Sequence, residues 1–544
     1  MHSALQVPEL VDIIANMSSQ GVACRMARTC RAWHQPALDR IWRENRWADA
    51  LDALLRILPS DLYQPLSFES TSYGGVSPKW FRGPTSAEYE RIYQFSSRMQ
   101  SLENPGYIEV FQITMTHPPP RPLFPRLRIL RINGSGSRVS PHMLLEPFAS
   151  PVLTRLDIFL PFRNQWMEIC LNEIYSACAP SVKVHFDLRE LTMIPRFVGN
   201  QTDMIHSVTM AGMCEEGWAY MAALPRLQEL RVHDIGSAPR IDKVDSVKNP
   251  FHALQLLEFS SNFDCRPFVA DLLGRCGRLS LSTLKVRVSL DTPERMAHPT
   301  DHWVDLFLAI ERHCAHDTLC TLSLADDGEM ARIGGGTLQL LAPFRELRTL
   351  SIENKNGVVV EDRHIAPLMR SWPALQSLRL VPSRFLNLDW ENDEDTYASA
   401  RYISTCTVPG LLEIARLGTA LQSLTLTVDF ENDLPPGDND WPLGGDTAKL
   451  PCNTHVTMFD AWVSDMGNVC DVAGLLLAVF PAAAQNVWVS VLANKEHYEG
   501  SRDEVVAAKW EQVFTIIDMV RTAERNAEQR VRKEVQKEGK LTRR

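Results

Sequence analysis

The chain has 544 residues, 45% apolar and 22% charged, the composition of a folded globular protein and not of a disordered one. Its 56 Lys and Arg against 66 Asp and Glu give a formal charge of −10, which argues against bulk nucleic-acid binding through neutralised phosphates. The longest strongly apolar stretch, Val472 to Val479, is too short to cross a bilayer, so no membrane partner is expected.

Met1–Gln20 carries Glu9 and Asp12 where a secretory leader would be basic and then apolar. The twelve cysteines contain no CxxC pair, so free thiols in a reducing compartment, cytoplasmic or nuclear, are expected. Pro8–Met17 reads as a helix started by its proline, with Leu10, Val11, Ile14 and Met17 on one side. Val22, Met26, Cys30 and Trp33 predict a second helix. Pro36–Trp47 predicts a third, with Leu38, Ile41 and Trp42 inward. Trp47, Leu51, Leu54, Leu55 and Leu58 mark a fourth that stops at Pro59. So small a helical unit is expected to lean on a partner or on the rest of the chain.

Leu5-Gln6-Val7-Pro8-Glu9-Leu10-Val11-Asp12-Ile13-Ile14 resembles the L-x-x-P-E-L-x-x-x-I opening of an F-box. Ala27 to Trp33 resembles its VCRxW segment, and Pro36-Ala37-Leu38 with Ile41-Trp42-Arg43 resembles its close. The resemblance covers residues 4 to about 47. It implies docking on a Skp-family adaptor, and through it on a cullin, by Leu5, Pro8, Leu10, Val11, Ile14, Cys30, Trp33 and Trp42. A surface with two Trp and several aliphatic side chains suits such helix packing.

Gln64–Pro84, rich in Ser, Gly and Pro, reads as a loop. Thr85 and Glu88 then predict a capping box on a helix carrying Tyr89, Ile92 and Met99. From there an LxxLxL pattern recurs. Clear copies start at Leu127, Leu153, Ile205, Leu227, Leu254, Leu281, Leu319, Leu347, Leu375 and Leu421, and weaker ones at Ile108, Val182, Val456 and Val487. The period is 27 residues between 254 and 281 and 28 between 319, 347 and 375. The last two apolar positions of each copy alternate on a short strand, so both face one side.

The intervals read as helices: Arg266–Cys276, His302–His313, Leu338–Pro343, Ile365–Trp372, Gly410–Gly418 and Val472–Phe480, with Gly418 suited to the position after a helix. The pattern is similar to leucine-rich repeats, in which stacked units share one core. The expected fold is therefore α/β: an N-terminal F-box-like helical unit, then a repeat solenoid with a parallel concave sheet and helices on the convex side. A short F-box before long degenerate repeats is similar to the large F-box families of mushroom-forming fungi.

Two acidic loops interrupt the repeats, Asn387–Asp395 with Asp393 and Asp395, and Asp429–Asp446 with Asp433. Insertions of this kind map to one face, so the loops are expected either to flank a site for a basic substrate segment or to be plain solvated loops. Gln255, Arg348, Glu353, Gln376, Arg379 and Thr425 are the candidate exposed strand positions that would choose a protein substrate. Val506, Trp510, Val513, Phe514, Ile517 and Val520 predict a capping helix over Asp503–Val520. Arg521–Arg544 then reads as a basic tail with nine Lys or Arg against four Glu.

The expected organisation is 1–60 F-box-like unit, 61–106 linker and connecting helix, 107–500 repeats, 501–520 cap and 521–544 tail. No GxSxG, GxxxxGK[ST] or HExxH is present, so no catalytic residue, cofactor or metal is expected. Gly334-Gly335-Gly336 reads as a repeat turn, and His313-Cys314 with His316 as a helix end. The F-box resemblance implies the substrate-recognition subunit of a Skp–cullin–F-box ubiquitin ligase. Two alternatives stay open. In a repeat scaffold that no longer binds the adaptor, Leu5, Leu10, Val11 and Ile14 would be buried against the repeats; in a receptor part of that set would stay open. An enzyme would need a deep pocket with carboxylates of raised pKa.

Overall fold

The computed structural model describes residues 7–45, 53–54, 57–59, 61–64, 79–103, 117, 119–133, 148, 150, 152–159, 183–188, 203, 205–211, 215–233, 240–289, 302–326, 333–354, 357–382, 406–430, 450–461, 467–483, 487–488 and 502–541. The chain divides into two compact units, Met1–His233 with Pro239–Leu254, and Gln255–Arg544 with Asp234–Ala238.

The first unit opens with helices α1 (Pro8–Met17), α2 (Gln20–Met26) and α3 (Arg31–Arg43). The second helix therefore ends before Cys30, and the third begins earlier than expected, with Pro36 inside it. Helix α3 runs directly into strand β1 (Glu44–Asn45), so the sheet starts within the span assigned to the helical unit. A hairpin of β2 (Tyr63–Gln64) and β3 (Lys79–Trp80) precedes α4 (Ser86–Ser96), whose Thr85–Glu88 capping box forms as expected. Strands β4 (Ser101–Glu103), β5 (Ile129–Asn133), β6 (Arg155–Phe159), β7 (Lys183–Leu188) and β8 (Ile205–Ala211) follow, then helix α5 (Glu215–Ala222) and β9 (Glu229–His233). They form a parallel sheet in the order β1-β4-β5-β6-β7-β8-β9. Met99, expected on the helix, is buried beside Leu102 of β4, at the start of the sheet. The weak copy at Ile108 lies outside the described residues.

The second unit alternates strands with mostly helical crossovers. It runs β10 (Leu256–Ser261), α6 (Arg266–Arg275), β11 (Thr283–Val288), α7 (His302–His313), β12 (Thr321–Asp326), β13 (Ile333–Gly334), α8 (Gly335–Leu338) and β14 (Thr349–Asn354). It continues with β15 (Val358–Val359), α9 (Asp362–Ser371), β16 (Ser377–Pro382), α10 (Val408–Leu417), β17 (Ser423–Leu426), β18 (Met458–Asp460), α11 (Val469–Val479), β19 (Val487–Trp488) and α12 (Arg502–Leu541). The parallel order is β10-β11-β12-β14-β16-β17-β18-β19, and β13 pairs separately with β15. Within this unit α6 packs on α7, α9 on α10, and α11 on α12.

The repeat pattern explains this core. Leu319, Leu322, Leu324, Leu347, Leu350, Ile352, Leu421 and Leu424 are fully buried, and Leu375, Leu378, Leu380 and Leu426 nearly so. The residue before several strands carries a second repeating device. The Arg128 carbonyl accepts from Thr154 N and Arg155 N at 2.8 and 3.0 Å, and the Gln376 carbonyl accepts from Gln422 N and Ser423 N at 2.7 and 3.0 Å. Each turn thereby hands its backbone groups to the next strand, as buried amides require. Gly418 does not adopt a left-handed conformation, with φ −79°. Its glycine is needed because a Cβ would stand 2.8 Å from the Ile414 carbonyl oxygen. Asn453 fastens this corner to the next repeat: its amide donates to the Gly418 carbonyl at 2.8 Å and its oxygen accepts from His455 N at 3.0 Å.

Helix α12 continues to Leu541, so much of the expected basic tail is helical. Trp510, Val513 and Ile517 are buried, with Trp510 edge-on to Phe430 at 6.0 Å between ring centroids. No described helix is long and apolar enough to cross a membrane.

Candidate functional site

The interior of the helical unit is made of small residues. Helix α1 turns Val11 and Ala15 inward, α2 turns in Ala23, and α3 turns in Ala37. Alanines let helices approach closely and leave no room there for larger side chains. The larger side chains stand outside: Leu10 is 42% exposed, Ile13 53% and Met17 84%, and Val7, Ile14 and Val22 are exposed beside them. Polar contacts hold the helices in register beneath this face. Ser19 caps α2 by accepting from Val22 N, Arg40 Nε donates to the Ser18 carbonyl at 3.2 Å, and Gln20 Nε2 donates to the Ile41 carbonyl at 3.3 Å.

The predicted docking residues therefore separate. Pro8, Leu10 and Ile14 lie on the open face, and Cys30 and Trp33 are half-buried. Val11 is a correction: at 2% exposure it fills the unit's own core. Trp42 makes a contact of its own with the chain that follows. It is half-buried and its ring lies 5.2 Å from that of Phe95 on α4, so it fastens the helices there. An ion pair between Arg98 and Asp39 makes the same connection. Leu5 lies outside the described residues. The sequence reading missed Ile13 as part of the face, because a pattern read alone does not say which side of a short helix the small residues claim.

The second candidate surface is the outward side of the strands. Arg379 Nε donates to Glu353 at 2.7 Å across neighbouring strands. Arg348 and Gln376 are exposed but stand just before their strands, and Gln255 does likewise. Thr425 is a correction, since it is buried and not exposed. Asp393, Asp395 and Asp433 lie outside the described residues. In the first unit the outward face is occupied by its own ion pairs. Buried Asp157 accepts from Arg131 Nε and Arg155 Nε, each at 2.8 Å. Burial, helped by the charge of Arg155, pushes the neighbouring His185 imidazole below its ordinary pKa.

A buried charged cluster in the second unit had no sequence signal. Arg266 is fully buried at the start of α6, with Nε 2.7 Å from Asp264 and Nη1 2.8 Å from Asp326. Its guanidinium lies 4.8 Å from the Trp303 ring centroid, and His302 Nδ1 is 2.6 Å from Asp264. Burial opposes ionisation of Asp264, but the hydrogen bond and charge of Arg266 outweigh it and hold the pKa below the ordinary carboxylate value. The cluster joins the starts of α6 and α7 to the end of β12, a clamp whose partners are already paired.

Buried thiols and packed imidazoles recur in the second unit. Cys265 and Cys314 are pushed up to about 12, chiefly by burial, which keeps them as thiols. His316 packs edge-on against Phe344, with ring centroids 5.0 Å apart. A Cβ on Gly335 would stand 2.4 Å from the His364 ring, so this glycine accommodates a neighbouring repeat. No cluster of three metal-ligating side chains occurs among the described residues. No protein-family model matches this chain, and no curated protein does either.

Proposed function

We propose that this chain is the substrate-recognition subunit of a Skp–cullin–F-box type ubiquitin ligase. In this reading its helices dock on a Skp-family adaptor, and leucine-rich repeats arranged as a solenoid hold a protein substrate. The observation that carries the reading is the open apolar face of α1 and α2, Val7, Leu10, Ile13, Ile14, Met17 and Val22. Six sizeable apolar side chains exposed over so short a span cost solubility unless a partner covers them. Two of them, Leu10 and Ile14, are residues at which the F-box resemblance implies adaptor contacts, and half-buried Trp33 adds a candidate anchor.

A specific observation favours a second reading in part. Trp42 on Phe95 and the pairing of β1 with β4 make the helices a cap on the sheet as well. A cap alone gives no reason for the open face, which is why the receptor reading is preferred.

The test is co-purification of the full chain with a Skp-family adaptor. Wild type should capture the adaptor, and Ile13→Asp with Met17→Asp should lose capture by about 100-fold or more, because a charge must then be buried in an apolar contact. An adaptor that is not captured by wild type, or that is captured equally by the double variant, would remove the ubiquitin reading.

A further inference from the structure

We propose that the outward face of β11, β12, β14 and β16 is a trough that binds an extended acidic segment of a partner protein. This deepens the receptor reading and rests on it, naming the class of segment the repeats would hold.

The register supplies the floor. Thr283, Thr321, Thr349, Ser377 and Ser423 stand opposite one another on successive strands and form a row of hydroxyls. In the next row Lys285, Ser323, Ser351 and Arg379 align, and in the third Arg287, Ala325, Glu353 and Val381. On β12 and the first two positions of β14 the outward side chains are therefore Thr, Ser, Ala, Thr and Ser. Long side chains border this floor, with Glu353 at the third outward position of β14 paired to Arg379, and Val381 beside it buried. Lys285 and Arg287 stand on β11, and Arg379 stands on β16, three strand spacings or about 14 Å away. That width accepts one extended chain with its side chains.

Charge selects the occupant. Lys285, Arg287 and Arg379 give three cations against two carboxylates of the same face, Glu258 beside Lys285 and Glu353 beside Arg379, so the face keeps a net charge of +1, carried by Arg287. Lys285 reaches Glu258 only at 3.7 Å, on the side of β11 away from the trough. Arg287 is exposed and pairs with no carboxylate among the described residues. Serine and threonine hydroxyls can donate to the carbonyls or carboxylates of a strand laid over them. The chain's overall negative charge does not reverse this, because screening limits charges to about 8–10 Å at physiological salt. The face therefore favours an acidic segment over the basic one expected from the acidic loops.

The experiment pans a random dodecapeptide phage library against immobilised full chain. Wild type should enrich Asp and Glu. Lys285→Glu with Arg287→Glu should abolish or invert that enrichment, and Ser351→Trp, which fills the trough from an outward position, should weaken a selected peptide by about 10-fold or more. Thermal unfolding midpoints matching wild type establish that both variants fold. Enrichment of neutral or basic peptides, no enrichment, or acidic peptides indifferent to these substitutions would overturn the proposal. Adaptor capture is measured on the same preparations. Its persistence without acidic enrichment sinks the trough alone, and its absence sinks the receptor reading.

Discussion

Helices α1 and α7 have similar amphipathic patterns and opposite fates. Over His302–His313, α7 buries Trp303, Leu306, Phe307, Ala309 and Ile310. Over Pro8–Met17, α1 buries only Val11 and Ala15 and leaves Leu10, Ile13, Ile14 and Met17 in water. The difference lies in the neighbours. Helix α7 packs on α6, so its apolar stripe is covered. The N-terminal helices pack through alanines, and among the described residues nothing covers the outer side of α1. A buried apolar residue of the second unit thus reports on folding, whereas one on the outer side of α1 is free of that role.

The sharpest way to break this comparison is to truncate one leucine in each region. Leu350→Ala, in a fully buried position flanked by β12 and β16, should cost about 3 kcal/mol in urea unfolding. Leu10→Ala should change stability by less than about 0.5 kcal/mol. Equal costs at the two sites would mean that the α1 face is part of the core.

The same contrast governs what could be read beforehand. The LxxLxL copies were legible because the first, fourth and sixth positions are the ones stacking buries, as in Leu347, Leu350 and Ile352. Strands β1 and β4 were missed because Glu44–Asn45 and Ser101–Glu103 are too short and polar to show alternation. The break between α2 and α3 was missed because Val22, Met26, Cys30 and Trp33 keep helical spacing across it. Thr425 reads as a polar outward residue, and only its neighbours bury it. The trough was invisible because a row such as Thr321, Thr349 and Ser377 exists only once the register is known.

A smaller effect sharpens the comparison at the joint between helices and sheet. Glu88 caps α4 through Thr85 and meets Arg82, with Nη2 2.6 Å from Oε1. The Arg82 hydrogen bond outweighs burial and holds Glu88 down to about 2 from an ordinary 4.5. Because the folded pKa is depressed, the contribution is present above the unfolded value and lost as pH falls from about 4.5 toward 2. Arg82 is open to solvent, so screening reduces the contribution. Glu88→Gln should therefore lower stability at pH 7 and flatten the acid limb of the stability curve. An unchanged acid limb would show that the pair is solvated and adds nothing to the joint.

The smallest effect is chemical and leaves stability untouched. Cys24 lies exposed on α2, whereas Cys265, Cys314 and Cys406 are buried in the repeats. Burial pushes the Cys265 and Cys314 thiols up to about 12 and raises Cys406 as well, so burial suppresses both access and thiolate. Iodoacetamide at pH 8, followed by peptide mass spectrometry, should label Cys24 at least about 100-fold faster than these three. Bound adaptor should then slow Cys24 if its footprint extends from Met17 and Val22 across α2, while the repeat thiols stay silent in both states. Labelling of Cys314 at the Cys24 rate would mean that the second unit opens locally, and the distinction between a folded repeat core and an open association face would collapse there.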